Sequence, residues 1–333
     1  MKVEDIKLYY GYNAWANYRI IDAAAKVSPE QLIAPNTLGW GDLRGMLTHT
    51  LDAEFGWFNF LFERGGGDWL KAEDFADVEA LRARWQEQNT ITRQCLESLE
   101  DADLTRVHAR ERGGERYEWV LWQALVHVVN HGTQHRSECA ALLTGLGSSP
   151  GDMDLTLYLN DAGINSGPAD SARRADIDLL FRYNDWANER ILATAELVSA
   201  EEFAQPNDYG WGSLNGALVH LMDAEYAWRV LLKDGEHIEW LQPEDFPDVA
   251  AIRARWAQER AAFWQYLEGL SSDDLSATIS YEGDTTRYRA LWHCLAHVVN
   301  HGTQHRAECA ALLTGFGHSP GNLDFTVFLS EAM

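Results

Sequence analysis

The stretch HVVNHGTQHR, residues 127–136, returns letter for letter at residues 297–306, each time followed by one variable residue and then ECAALLTG. Its histidines fall four residues apart, a spacing that on a helix puts side chains on one face about 6 Å from each other. Working outward, YNAWAN at 12–17 answers to YNDWAN at 183–188, and GWGDL at 39–43 to GWGSL at 210–214. HTLDAEFGW at 49–57 matches HLMDAEYAW at 220–228, and VEALRARW at 78–85 matches VAAIRARW at 249–256. SPGDMDLTLYL at 149–159 matches SPGNLDFTVFL at 319–329. The offset is 171 residues early and 170 by the histidine block, so one residue was gained or lost between. This is a tandem duplication, with units too long for a solenoid repeat.

DAGINSGPADSARRAD, residues 161–176, has no counterpart and carries Gly, Pro and Ser. Residues 161–173 are therefore expected as a linker between a first repeat, 1–160, and a second, 174–333.

Apolar periodicity predicts four long helices in each repeat. In the first they cover about residues 3–26, 41–64, 77–99 and 118–145, and in the second about 174–197, 212–233, 248–269 and 287–314. The fold class expected is all-α, two tandem four-helix bundles. Between the third and fourth helices, TISYEGDTTRY alternates around Glu282-Gly283-Asp284, the pattern of a small hairpin. The connections are long enough to permit crossovers and an up-up-down-down order, which periodicity alone leaves open.

A chain of 333 residues is long enough for two cores, and 46% apolar residues with 14 tryptophans supply them. The formal charge of −24 repels phosphate backbones, and no basic stripe offsets it, so nucleic acid is not an expected partner. No apolar run approaches the roughly 20 residues that span a bilayer, so no membrane role is expected. The opening MKVEDIKLYYGYNAW is charged and patterned, unlike a secretory leader. With four cysteines (Cys95, Cys139, Cys294, Cys309) making no disulfide framework, that points to the cytoplasm. Cys139 and Cys309 match in position and read as core residues.

The duplication sorts the 12 histidines. His108, His237, His293 and His318 have no counterpart. His49 pairs with His220, His127 with His297, His131 with His301 and His135 with His305. The helix-four histidines of one repeat span about 12 Å of rise, too far for all three to ligate one ion. One adjacent pair should do so, with His131 in either choice, and a third ligand should come from His49 in helix two. The competing reading, core histidines satisfied by hydrogen bonds, is weakened by the coincidence of spacing, repetition and cross-helix partner.

HGTQH lacks the glutamate of a zinc peptidase, and the Glu-x-x-His pairs of di-iron bundles are absent. Asp52 and Asp223, three residues after His49 and His220, read equally as holding an imidazole or as surface carboxylates. Glu54 and Glu225 point elsewhere. Gly132 and Gly302 interrupt a helix at a cost of about 1 kcal/mol each, which suggests close approach, most simply by packing.

A histidine in helix two followed by DAE, the NHxxxHR block and the trailing D-x-x-x-[YF]-L together resemble the DinB/YfiT-like superfamily, once per repeat over nearly the whole chain. The resemblance implies an up-up-down-down four-helix bundle and one divalent ion per repeat, zinc or nickel, with iron or manganese as alternatives. It implies His49, His131 and His135 as metal ligands in the first repeat, and His220, His301 and His305 in the second. His127 and His297 then become cavity residues or partners of the ligands, alongside Asp52 and Asp223. The family includes S-transferases and isomerases that use low-molecular-weight thiols, and members that form homodimers. Two repeats in one chain suggest an intramolecular pseudo-dimer, with further homo-oligomers an open question.

Three neutral imidazoles leave an ion its double charge and an open position, the pattern of catalytic sites. A thiol there would be deprotonated for transfer to a small electrophile. Alternatively, bound water with a pKa near about 7 would attack an ester or amide, making a hydrolase. Resemblance tilts toward the thiol S-transferase. Arg136 and Arg306 read as surface ion-pair partners or as holders of a substrate carboxylate. A non-catalytic, metal-dependent binding or stress-response module is the remaining class. Differences such as Gln123 against His293 leave open whether both repeats are active.

Overall fold

In the computed structural model, which describes residues 1–36, 39–65, 68–165, 174–207, 211–282 and 286–332, the long helices are all present. The first repeat forms α1 (Val3–Ala24), a short α2 (Pro29–Leu32), α3 (Leu43–Leu61) and α4 (Val78–Glu97), then the strands β1 (Val107–Arg112) and β2 (Glu115–Val120), and finally α5 (Leu121–Gly145) and α6 (Leu155–Asp161). The second forms α7 (Arg174–Ala195), α8 (Ala200–Ala204), α9 (Leu214–Asp234), α10 (Val249–Glu268), α11 (Ser272–Ser276), β3 (Thr278–Tyr281), β4 (Arg287–Ala290), α12 (Leu291–Gly315) and α13 (Phe325–Ala332). No helix among the described residues is long and apolar enough to cross a membrane.

Side-chain caps set where several helices begin. Asp42 accepts a hydrogen bond from Gly45 N, Asp77 from Ala80 N, Ser213 from Gly216 N and Asp248 from Ala251 N. α5 and α12 lack such caps. They start later than periodicity predicts because the residues in front are strand, and the strand base satisfies the first turn instead. Leu121 N donates to Arg106 O at 2.8 Å, and Leu291 N to Ala277 O at 3.0 Å.

The predicted hairpin is present in both repeats, antiparallel in each. In the first, Arg112 faces Glu115 across Gly113 (φ 64°) and Gly114 (φ 85°), the two positive φ values that a tight two-residue turn needs. In the second, the predicted turn residues Gly283 and Asp284 lie outside the described residues.

In the first bundle α1 packs against α5 and α4, and α3 packs against the same two, which leaves α1 and α3 diagonal. Tyr10 reaches Leu125 while Arg136 reaches Asn17, so α1 and α5 run the same way. Asn13 pairs with Glu54 and Tyr10 with Phe58, so α3 runs against α1. Arg44 meets Phe75 at one end and Arg64 meets Cys95 at the other, so α4 runs with α3. The chain order is thus up-down-down-up, which corrects the up-up-down-down order expected. Only the α3–α4 connection must return over the bundle's length. The α4–α5 connection is long because it contains the hairpin. The second bundle repeats these directions: Asn215 meets Phe246 and Tyr266 meets Leu232, Trp264 pairs with Asp185 and Arg253 with Glu196, and His220 meets His301 while Trp228 meets His297.

Ile6, Ile20, Leu51, Phe58, Trp85 and Leu125 are buried at the centre of the first bundle, and Ile191, Leu218, Met222, Ile252 and Leu313 at that of the second. Each such side chain contributes about 1.5–3 kcal/mol.

The chain divides into two compact units that do not coincide with the sequence repeats. One comprises Met1–Met153 with Asp324–Met333, and the other Asp154–Leu323. α6, read as the end of the first repeat, packs on α12, and α13 packs on α5. Of the expected linker 161–173, residues 161–165 continue from α6 within the second unit, and 166–173 lie outside the described residues.

Candidate metal centre

α3 presents His49, and α5 presents His131 and His135 one turn apart, all on facing sides. His131 Nε2 lies 3.3 Å from His49 Nε2 and 3.2 Å from His135 Nε2. The second unit repeats the arrangement, with His220 Nε2 at 3.3 Å from His301 Nε2 and His305 completing the set. In both groups one donor atom from each ring lies within 4.8 Å of the others. Two donors on a tetrahedral ion, each at about 2.0–2.1 Å, stand about 3.3 Å apart. The spacing therefore suits a small divalent ion, and these triads could hold one.

Burial keeps His49, His131, His220 and His301 neutral, as ligation requires. It pushes the pKa of His49 and of His220 down to about 3, with His135 and His305 adding to the effect. His131 and His301 are lowered further by burial and by the neighbouring imidazoles.

Two partners of the triad escaped the sequence reading. Glu138 Oε2 sits 2.7 Å from His135 Nδ1, and Glu308 Oε2 sits 2.8 Å from His305 Nδ1. A carboxylate can only accept, so Nδ1 carries the proton and Nε2 turns its lone pair toward the other rings. The signal was available as the i, i+3 glutamate in HRSE and HRAE. The indole of Trp40 lies flat on His49, centroids 3.5 Å apart at 12°, and Trp211 lies on His220 at 3.6 Å and 20°. These indoles are 55% and 50% exposed, so one face covers the histidine and the other meets solvent. Trp40 has φ 53°, between Gly39 at 108° and Gly41 at 79°, which explains the glycines of GWG there.

The remaining candidates do other work. Asp52 Oδ1 accepts from Leu70 N at 2.8 Å, and Asp223 accepts from the Leu241 backbone. Each pins the loop after its helix, and among the described residues neither holds an imidazole, which corrects that reading. Glu54 is buried on Asn13 and Thr92, and Glu225 on Asn184, Asn188 and Trp256.

Arg136 is neither on the surface nor open to a substrate. It is 2% exposed, its Nη1 donates to Asn13 Oδ1 (2.6 Å) and Asn17 Oδ1 (2.8 Å), its Nη2 to Thr133, and its guanidinium lies 5.5 Å from the Tyr12 ring. Arg306 repeats this with Asn184, Asn188 and Thr303. A Cβ on Gly132 would stand 2.7 Å from Arg136 Nη1, so the glycine makes room for that guanidinium.

His127 and His297 sit one turn from His131 and His301, outside the triads, with ring centroids 5.6 and 5.4 Å from them. Trp57 and Trp228 pack edge-on against them at 5.1 and 4.9 Å. His293, facing Trp292 at 4.3 Å, is fully buried, and burial lowers its pKa to about 4.

The DinB family profile matches residues 1–169 and again 168–332. Protein DinB of Bacillus subtilis (strain 168) is 25% identical over 160 residues, which is 45% of this chain and 91% of that protein. With the family matched over both halves, the chain belongs to the DinB family and carries its unit twice in tandem.

Proposed function

We propose that each unit holds one divalent ion on its histidine triad and uses it to activate a low-molecular-weight thiol for transfer to a small electrophile. The observation that carries the reading is the convergence of three imidazole nitrogens in each unit, all within 4.8 Å of one another, with neighbouring Nε2 atoms 3.2–3.3 Å apart. His49, His131 and His135 would hold the ion in one unit, and His220, His301 and His305 in the other. When bound, such an ion lowers the pKa of a thiol reaching its open position and leaves it a nucleophile at neutral pH.

The chain's own residues favour a thiol over water. Peptidase sites of this kind add a carboxylate base beside the metal-bound water. Here Glu138 is committed to His135, Glu54 to Asn13 and Thr92, and Asp52 to Leu70. A small thiol ionises with a pKa of about 8.5 and needs far less help. That thiol must come from solution. All four cysteines are buried, and burial pushes Cys95, Cys139 and Cys309 up and Cys294 up to about 12. Trp40 and Trp211, half in solvent beside a ligand, offer a flat apolar face for a planar electrophile.

Metal analysis of the purified protein should find two divalent ions per chain, one for each triad. Combining His131→Ala with His301→Ala should remove both, and metal retained in that variant would overturn the ligand assignment. A panel of thiols with a chromogenic electrophile should show conjugation that chelation abolishes. Ester cleavage instead would favour the hydrolase, and no turnover with metal in place would leave a binding module.

A further inference from the structure

We infer that each metal centre is completed by a carboxylate from the other sequence repeat: Asp324 positions His127, and Asp154 positions His297. The inference rests on the triads holding metal only for its effect on affinity; the pairing itself stands on geometry.

The two compact units exchange the ends of the repeats. Asp154–Asp161 belongs with residues up to 323, and Asp324–Met333 belongs with residues up to 153. The exchanged helices are anchored firmly. Leu155 and Leu159 of α6 are fully buried in the second unit, and Phe325 and Leu329 of α13 are buried in the first. Arg289 of β4, itself buried, also ties down the stretch after α6, donating to Ile164 O at 3.0 Å and binding Asn160.

Each exchanged segment arrives with an aspartate at its start. Asp154 and Asp324 occupy the same place in the two repeats, in DMDLTLYL and NLDFTVFL. Asp154 Oδ1 lies 4.0 Å from His297 Nδ1. In the first unit α13 packs on α5, the helix that carries His127, and the charge of Asp324 at the start of α13 reaches that ring. His127 and His297 are 3% and 2% exposed, yet their Nδ1 atoms make no hydrogen bond among the described residues. A buried imidazole N–H left unpaired costs about 1–3 kcal/mol. A carboxylate oxygen drawn in from that separation would pair the ring nitrogen and remove that cost. The ring so held packs against Trp57 or Trp228 on one side and a ligand histidine on the other, so its tilt shapes the wall beside the ion. Partners of the ligating histidines themselves commonly change metal affinity about 10–100-fold, and a carboxylate acting through a neighbouring ring has a smaller effect.

The test uses the full chain with one centre left intact at a time. His301→Ala keeps only the centre of His49, His131 and His135, and His131→Ala keeps only the other. Asp324→Asn and Asp154→Asn, close isosteres, are placed in each background. Cobalt(II) binding is followed by its visible absorption and by competition with a chelator. Asp324→Asn should weaken binding by about three- to tenfold, below the effect of losing a direct partner of a ligand, and shift the spectrum in the His301→Ala background alone. Asp154→Asn should do so in the His131→Ala background alone. An effect on the centre of the same sequence repeat, or on neither, overturns the inference.

If the parent variants bind no cobalt, the metal reading fails while the pairing is still decided by histidine ring 15N shifts. Asp324→Asn should then move the Nδ1 resonance of His127 and leave that of His297 in place. The reverse pattern, or no movement of either, overturns the inference.

Discussion

Glu138 shows how much of the centre depends on one side chain that binds no metal itself. It holds the Nδ1 proton of His135 at 2.7 Å, which fixes both the tautomer and the tilt of that ring. Glu138→Gln keeps the size but gives up the charge, and its amide can present either a donor or an acceptor. Metal affinity at that centre should fall about 10–100-fold while helix content is retained. Competition with a chelator, read beside circular dichroism, checks this; unchanged affinity would show that His135 needs no partner. Arg136 teaches the opposite lesson. As an isolated letter beside a histidine it reads as a surface group, yet Asn13, Asn17, Thr133 and Tyr12 together pay for its burial. No local pattern announces four partners spread over two helices.

Among the elements, the GWG loops carry the tightest constraint. A Cβ on Gly45 would lie 2.0 Å from the carbonyl oxygen of Trp40, and one on Gly216 would lie 2.1 Å from that of Trp211. Backbone cannot yield as a side-chain tip can. Gly45→Ala should therefore push the loop off α3, lift Trp40 from His49 and destabilise the unit by about 1–3 kcal/mol. The gain of about 1 kcal/mol in helix propensity is too small to offset this. Near-ultraviolet circular dichroism and thermal melting test it, and an unchanged indole signal with an unchanged melting temperature would refute it. The repeated GWG was visible in sequence, but its role was not, because the glycines serve a contact with a histidine in the following helix.

For the whole molecule, the buried histidines predict a direction for stability against pH. Burial lowers His49, His220 and His297 to about 3 and His293 to about 4, while unfolded histidines titrate near 6.5. Their contribution is fully present above pH about 6.5 and is lost progressively as pH falls toward those values, because the unfolded chain takes up protons first. Asp185 and Asp223, raised to about 6 mainly by burial, act in the opposite sense but are fewer. The urea midpoint of chelator-treated protein should therefore be lower at pH 5 than at pH 7.5, and an equal or higher midpoint would sink the argument. Metal-loaded protein should lose stability more steeply, since protons compete for the same nitrogens.

The sequence by itself determined the helices, the duplication and the meeting of His49 with His131 and one adjacent histidine, because apolar periodicity and i, i+4 spacing are local and comparing two copies separates constraint from drift. The hairpin was legible for the same reason. That the adjacent histidine is His135 rather than His127 came from the family resemblance. Tertiary structure alone decided the helix directions, the partners of Asp52, Glu138 and Arg136, and the destination of α6 and α13. A terminal helix advertises an apolar face but not the surface that receives it. Two repeats alike enough to share HVVNHGTQHR present nearly the same receiving surface twice, on α5 and on α12. Pattern cannot choose between equal docks, and the choice falls to the path of the chain through space.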